Sequence, residues 1–87
     1  MNTQMLFISN LQDLGNAFRS ERRALGKTQG DIAEAAQLRR ETIIRIEAGN
    51  NVDAITLLKA ISALGKGLMI ADKRPDYDAI KEIFNED

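Results

Sequence analysis

The chain has 87 residues, of which 44% are hydrophobic and 29% charged, and its formal net charge is −1. It contains no cysteine and no histidine, which excludes disulfides, the usual zinc ligands and the commonest general base. A chain this short makes one small domain with a marginal core, so association with a second copy is an expected source of stability. Nothing in the sequence indicates an enzyme, a metal site or a cofactor. No segment is long and apolar enough for a signal peptide or a membrane helix, so we expect a cytoplasmic protein.

Basic residues are concentrated in the middle of the chain. Seven lie between positions 19 and 45, whereas five acidic residues and one lysine follow Pro75. A nearly neutral total can therefore conceal a basic surface. The seven are Arg19, Arg22, Arg23, Lys27, Arg39, Arg40 and Arg45.

The first predicted helix covers residues 10–25, "NLQDLGNAFRSERRAL". Its apolar residues recur at helical spacing, which indicates a buried stripe. Ser9 followed by Gln12 predicts a capping box at its start, and Gly26 is typical of the position after a last helical turn. The stripe consists of Leu11, Leu14, Phe18 and Leu25, with Ala17 beside it.

The second predicted helix is about two turns long. Thr28 followed by Asp31 is a variant of the capping box and places the helix start there. The inward positions are Ile32, Ala33 and Ala36.

The third predicted helix begins near Leu38 and ends at Gly49, and it has two chemically different faces. Ile43, Ile46 and Glu47 share the inward face, whereas charged side chains point outward. A helix that follows another after a tight turn and presents polar groups is the plan of a helix-turn-helix, whose second helix enters the DNA major groove. Arginine can bind guanine, glutamate can accept from cytosine, and an apolar group can contact the thymine methyl.

The rest of the chain predicts one more helix, a strand and a tail. Asp53 caps a fourth helix, which we expect to be nearly buried, and Gly65 and Gly67 end it. "LMIAD", residues 68–72, indicates a short strand, and "DYDAIKEIFNED", residues 76–87, one or two helical turns. The apolar positions of the fourth helix are Ala54, Ile55, Leu57, Leu58, Ile61 and Leu64.

The segment "KTQGDIAEAAQLRRETIIRIEAGN", residues 27–50, resembles the helix-turn-helix core of the Cro/C1 (Xre) repressor family, and the resemblance extends over about residues 10–68. It implies an all-α, lambda-repressor-like bundle of four to five helices, with a helix-turn-helix domain at residues 10–65. The matching positions are Thr28, Gln29, Ile32, Ala33, Leu38, Thr42, Ile43, Ile46, Glu47 and Gly49.

The resemblance also implies a set of DNA contacts and one ion pair. Arg22 matches a family arginine that pairs with the residue at Glu47, and we expect this pair to be structural because a buried carboxylate needs a counter-charge. Contacts to the DNA backbone are implied for Thr28, Gln29, Asn50 and Asn51. Base contacts are expected from Arg39, Arg40, Glu41, Ile44 and Arg45.

Three residues depart from the family pattern. Gln37 stands at the turn position where most relatives have glycine, which favours left-handed geometry. Arg39 replaces the usual serine or threonine cap of the third helix, and Gly30 replaces a better helix former.

The segment after residue 65 is similar to the end of the HipB-type antitoxins. The resemblance implies a dimerising strand at residues 66–74, with Leu68, Met69, Ile70 and Ala71 pairing with the same strand of a second copy. Residues 1–9 are then an N-terminal segment and residues 75–87 an acidic tail. A HipB-type protein would bind a palindromic operator in double-stranded DNA as a homodimer, repress its own operon and bind a HipA-like kinase toxin.

Two other readings remain open from the sequence. One is a stand-alone Xre or Cro-like repressor without a toxin. The other is a helical module that has kept the fold for protein interaction and does not bind DNA.

Overall fold

The computed structural model describes residues 7–72, and within that range the chain forms four helices. α1 is Leu11–Ala24, α2 is Gln29–Ala36, α3 is Arg40–Glu47 and α4 is Ala54–Ala63. α3 packs against both α1 and α2, and α4 packs against α2. The predicted all-α helix-turn-helix bundle is confirmed, with α2 and α3 as the two helices of the motif. The longest described helix has 14 residues, and none of the four is long and apolar enough to cross a membrane.

The start of α1 differs from the prediction. Asn10 caps the helix, because its Oδ1 accepts a hydrogen bond of 2.7 Å from the backbone N–H of Asp13. The predicted capping box of Ser9 and Gln12 is therefore wrong. Asparagine is an equally good N-cap residue, and the sequence pattern alone did not separate two adjacent capping residues.

The starts of α2 and α4 are capped as predicted. Thr28 and Asp31 form a reciprocal capping box, with bonds of 3.0 Å and 2.9 Å. Asp53 accepts from the backbone N–H of Thr56 at 3.0 Å. The bond from the Thr28 backbone holds the pKa of Asp31 below its usual value, and the hydrogen bonds of Thr56 lower the pKa of Asp53.

The turn between α2 and α3 has the left-handed residue that the family pattern implies, although it is not a glycine. Gln37 has φ 57° and ψ 45°, a conformation that costs an ordinary L-residue about 1–2 kcal/mol. Arg39 then precedes α3 without any side-chain capping bond, so the sequence departures at both positions are visible in the backbone.

The core lies where the four helices meet. The inward residues predicted for α2 and α3 are buried. The core is built from Phe18, Ile32, Ala33, Ile43, Ile46, Ala60, Ile61 and Leu64, with Leu38, Val52, Leu57 and Ala63 packed against it.

Five residues that the sequence placed inward are exposed. Leu11 and Leu25 lie at the two ends of the α1 stripe, and Ala54, Ile55 and Leu58 lie on α4. The prediction that α4 is nearly buried is wrong, because one chain covers only one side of this helix. Helical periodicity identifies apolar stripes but not whether a partner covers each of them.

The segment after α4 is exposed and has no regular secondary structure within residues 66–72, so it forms no strand there. A strand that pairs with the same segment of a second copy has no hydrogen-bond partner inside one chain. The predicted pairing across a dimer therefore stays a prediction. The possible fifth helix and the acidic tail lie outside the described residues.

Candidate DNA-binding surface

The outward face of α3 carries four of the five residues that the sequence assigned to base reading, and the fifth, Arg39, is the N-cap of this helix. The helix has no proline or glycine, and its buried residues Ile43, Ile46 and Glu47 hold one side against α1 and α2. The opposite side is therefore presented to solvent as a polar and basic surface. The exposed residues of this surface are Arg39, Arg40, Glu41, Ile44 and Arg45.

Arg45 makes a hydrogen bond to the loop that follows α3. Its Nη2 donates to the backbone carbonyl of Asn51 at 2.8 Å. Asn50 and Asn51 are both exposed beside the end of α3. The structure thus brings Arg45 together with the loop residues expected at the DNA backbone, and this bond restricts the guanidinium of Arg45 in the free protein.

The most buried polar group in the described part of the chain is the carboxylate of Glu47, whose side chain is 1% exposed. Arg22 donates to it twice, from Nε to Oε2 at 2.6 Å and from Nη2 to Oε1 at 3.1 Å. Arg22 also donates from Nη1 to the carbonyl of Lys27 at 2.8 Å. The expected ion pair of Arg22 and Glu47 is thus present, in the bidentate geometry that makes such pairs strong.

Two further side chains donate to the same carboxylate. Arg19 Nε lies 3.2 Å from Glu47 Oε1, and Gln29 Nε2 lies 3.1 Å from that oxygen. Burial opposes ionisation of Glu47, but the hydrogen bonds from Arg22, Gln29 and Arg19 outweigh it, and the pKa of Glu47 falls below its usual value. The bond with Glu47 in turn raises the pKa of Arg22. Within residues 7–72 no buried side-chain nitrogen or oxygen lacks a partner.

Gln29 connects this buried carboxylate to Arg40, at the other end of α3. Its amide nitrogen donates to Glu47, and its Oε1 accepts a long hydrogen bond of 3.4 Å from Arg40 Nη2. Thr28, the cap of α2, is exposed next to it. Gln29 was expected to contact a phosphate, and in the free protein both ends of its amide are engaged within the chain.

Sequence reasoning missed two residues that shape this surface. Arg19 was counted among the basic residues but was given no role. It lies three residues before Arg22, and this helical spacing could have indicated that the two side chains share a face of α1. Gly15 lies where α1 meets the end of α3, and a Cβ atom there would lie 2.6 Å from the carbonyl oxygens of both Ile46 and Glu47. The sequence alone does not show whether a glycine inside a helix is required by the close approach of another backbone segment or only lowers the stability of the helix.

Comparison with protein families identifies the domain. The helix-turn-helix family HTH_3 matches residues 18–69, which includes most of the four-helix bundle. This chain belongs to the Cro/C1-type helix-turn-helix family. The family consists of DNA-binding regulators. In a helix-turn-helix motif the second helix enters the major groove, and in this chain that helix is α3, which carries the polar face. No curated protein sequence matches the chain significantly.

Solved structures of this fold resemble the chain closely. A HipB–O2 20mer complex has a TM-score of 0.75 and 24% identity, covering 82% of this chain and 100% of that chain. A chain of the HipA–HipB–O2–O3 complex has a TM-score of 0.74 and 24% identity, covering 80% and 100%. The restriction-modification controller protein C.AhdI from Aeromonas hydrophila has a TM-score of 0.61 and 32% identity, covering 64% and 86%.

Proposed function

We propose that this protein is a sequence-specific transcriptional repressor that binds a palindromic operator as a homodimer, with α3 in the major groove. The observation that supports this most is the division of α3 into a buried apolar face and an exposed face of base-reading chemistry. The exposed face combines guanidinium donors, one carboxylate acceptor and one isoleucine, which together suit guanine, cytosine and thymine edges. The protein is a binding module and not an enzyme.

The role of the other surface residues follows from their place at the ends of α2 and α3. Residues at these positions approach the sugar-phosphate backbone when α3 lies in the groove, and backbone contacts set the register of the protein on DNA. We assign this role to Thr28, Gln29, Asn50 and Asn51.

The homodimer is supported by apolar surface that one chain leaves uncovered. The exposed fraction is 57% for Leu68 and 86% for Met69, and Ile70 is fully exposed. A run of exposed apolar residues in a segment without regular secondary structure favours pairing with a second copy. A two-fold dimer presents two copies of α3 to half-sites about 34 Å apart.

We further propose that the protein is the antitoxin of a type II toxin–antitoxin operon and binds a HipA-like kinase toxin. The support is the similarity of fold to HipB over the full length of the compared HipB chain, including HipB in complex with HipA and DNA. A second candidate is a stand-alone regulator, which the similarity to the controller protein C.AhdI at 32% identity favours.

DNA binding is tested by fluorescence anisotropy with the DNA upstream of the protein's own gene and a scrambled duplex, across a salt series. We expect a preference of at least ~10³ for the upstream DNA and a steep salt dependence. Arg45→Ala should cost roughly 1–3 kcal/mol on the specific site and relax the base preference, whereas Gln29→Ala should weaken both duplexes about equally. Equal, weak binding of both duplexes by the wild type would contradict a sequence-specific repressor.

The dimer is tested by sedimentation of the full chain. Ile70→Glu places a charge in the proposed pairing segment and should shift the protein to monomer and weaken operator binding. Leu25→Glu is the matched control, because Leu25 is an exposed apolar residue at the end of α1. An Ile70→Glu protein that sediments as a dimer like the control would argue against pairing through this segment.

The toxin is tested by co-expression with a kinase encoded next to this gene. Formation of a stable complex that also binds the upstream DNA is expected for an antitoxin. The absence of such a complex, with operator binding intact, would favour the stand-alone regulator.

A further inference from the structure

Arg19 of α1 lies beside the first residue of α2. Its Nε and the Nε2 of Gln29 donate to the same oxygen, Glu47 Oε1, at 3.2 Å and 3.1 Å. Two donors on one oxygen atom are necessarily close neighbours. The Arg19 guanidinium is therefore adjacent to a residue that we assign to the DNA backbone, although it comes from a different helix.

Within the described residues, the Arg19 guanidinium is oriented by one hydrogen bond, and its other N–H donors are not engaged. An arginine carries five N–H donors in a planar fork, and in residues 7–72 the only hydrogen bond of this side chain is the one from Nε to Glu47. The Arg19 side chain is 41% exposed, compared with 10% for Arg22. Its Nη groups therefore remain available for a partner from solution.

Glu47 does not need Arg19 for charge compensation. Arg22 already binds both carboxylate oxygens of Glu47. On the other side of Gln29, Arg40 Nη2 contacts the Gln29 amide oxygen. Two arginines thus bind one buried carboxylate and a third contacts the glutamine beside it. The positive charge in excess of Glu47 lies on Arg19 and Arg40.

We propose that Arg19 is a further DNA-backbone contact, whose Nη groups bind a phosphodiester group of the backbone beside Gln29. Glu47 acts through the Nε of Arg19 as a positioning residue that orients the guanidinium before DNA arrives. A guanidinium fork matches two phosphate oxygens, and a side chain that is already oriented loses less entropy on binding. The inference rests on the proposed DNA-binding function and extends it to a contact from α1.

The test uses the full chain, the upstream DNA and the scrambled duplex. Arg19→Gln should weaken both duplexes by the same factor, roughly tenfold, because a phosphate contact carries no base information. The salt slope, d log K/d log [salt], should become less steep by about 0.9, as expected when one phosphate contact is lost. Arg23→Gln is the matched control, because it removes the same charge from an exposed position of α1.

Two further measurements separate a DNA contact from a purely structural role. Arg19→Lys keeps the positive charge, so the salt slope of DNA binding should stay near that of the wild type. A lysine cannot donate one N–H to Glu47 and also offer a planar pair of N–H groups to a phosphate, so the affinity for DNA should fall. In the folded wild type, the Nε–H resonance of Arg19, assigned by its absence in Arg19→Lys, should shift when the upstream DNA is added.

The outcomes distinguish this inference from the proposed function. If Arg19→Gln and Arg23→Gln have the same affinity and salt slope, or the Arg19 resonance does not move on DNA, the Arg19 contact is wrong while the repressor stands. If the wild type binds neither duplex, both are wrong.

Discussion

Glu47→Gln is the substitution that should affect folding most, because it removes the acceptor of four hydrogen bonds. The donors are two groups of Arg22 and one each of Arg19 and Gln29, at 2.6–3.2 Å. The glutamine amide has one acceptor oxygen, and its NH₂ group faces donors. Arg22, whose side chain is 10% exposed, is then left as a buried charge without a counter-ion. Removing one partner of a buried ion pair typically costs about 3–5 kcal/mol.

This cost is large for a domain of this size. Total stabilities of about 5–15 kcal/mol are usual, and a loss of 1 kcal/mol lowers Tm by about 4–8 °C in domains of 60–100 residues. We therefore expect Tm of Glu47→Gln to fall by at least ~12 °C, measured by circular dichroism and checked by urea titration.

The matched control is Glu41→Gln, an exposed glutamate on the same helix, which should stay within about 0.5 kcal/mol of the wild type. Replacing both partners, with Arg22→Met and Glu47→Leu together, should restore much of the lost stability, since no buried charge remains unpaired. If Glu47→Gln melts within ~4 °C of Glu41→Gln, the argument that this pair is buried and necessary is refuted.

Three further predictions concern the backbone and pH. Gly15→Ala should lower the free energy of unfolding by about 1–3 kcal/mol, because its Cβ would overlap the carbonyl oxygens of Ile46 and Glu47. Gly30→Ala should be neutral or stabilising in the same urea titration, because its Cβ would meet only Thr28 Oγ1, at the ordinary contact distance of 3.8 Å. Gln37→Gly should raise that free energy by about 0.5–1 kcal/mol by relieving the left-handed conformation, and an unchanged urea midpoint would count against strain there. The folded-state pKa of Glu47 is depressed, so its contribution is present above the unfolded value of about 4.3 and is lost as pH falls through the folded pKa. The Tm difference between wild type and Glu47→Gln should therefore shrink on acidification below about pH 4, and a constant difference would contradict the assigned shift.

Much of the local structure followed from residue chemistry. The caps at Thr28 and Asp53 and the buried faces of α2 and α3 depend on residues within a few positions of one another. Such features need only backbone geometry and helical spacing, so the sequence was sufficient for them. Ser9 was mistaken for the cap because Asn10, its neighbour, satisfies the same requirement.

The errors and omissions have a common physical origin. Ile55 and Leu58 were expected to be buried, but burial depends on which other element covers a stripe, and within residues 7–72 nothing covers them fully. Arg19 lies 28 positions before Glu47 in the chain, so its role depends on the packing of α1 against α3. Periodicity carries no information about distances of that kind.

By itself, the sequence determined the helices, their order and the outward chemistry of α3, and its resemblance to a known family implied the pairing of Arg22 with Glu47. The tertiary structure alone decided that Arg19 and Gln29 share a carboxylate oxygen with that pair and that α1 needs glycine at position 15. The reason is that capping and amphipathicity are properties of neighbouring residues. A shared hydrogen-bond acceptor or a close backbone approach exists only once separate helices have packed together.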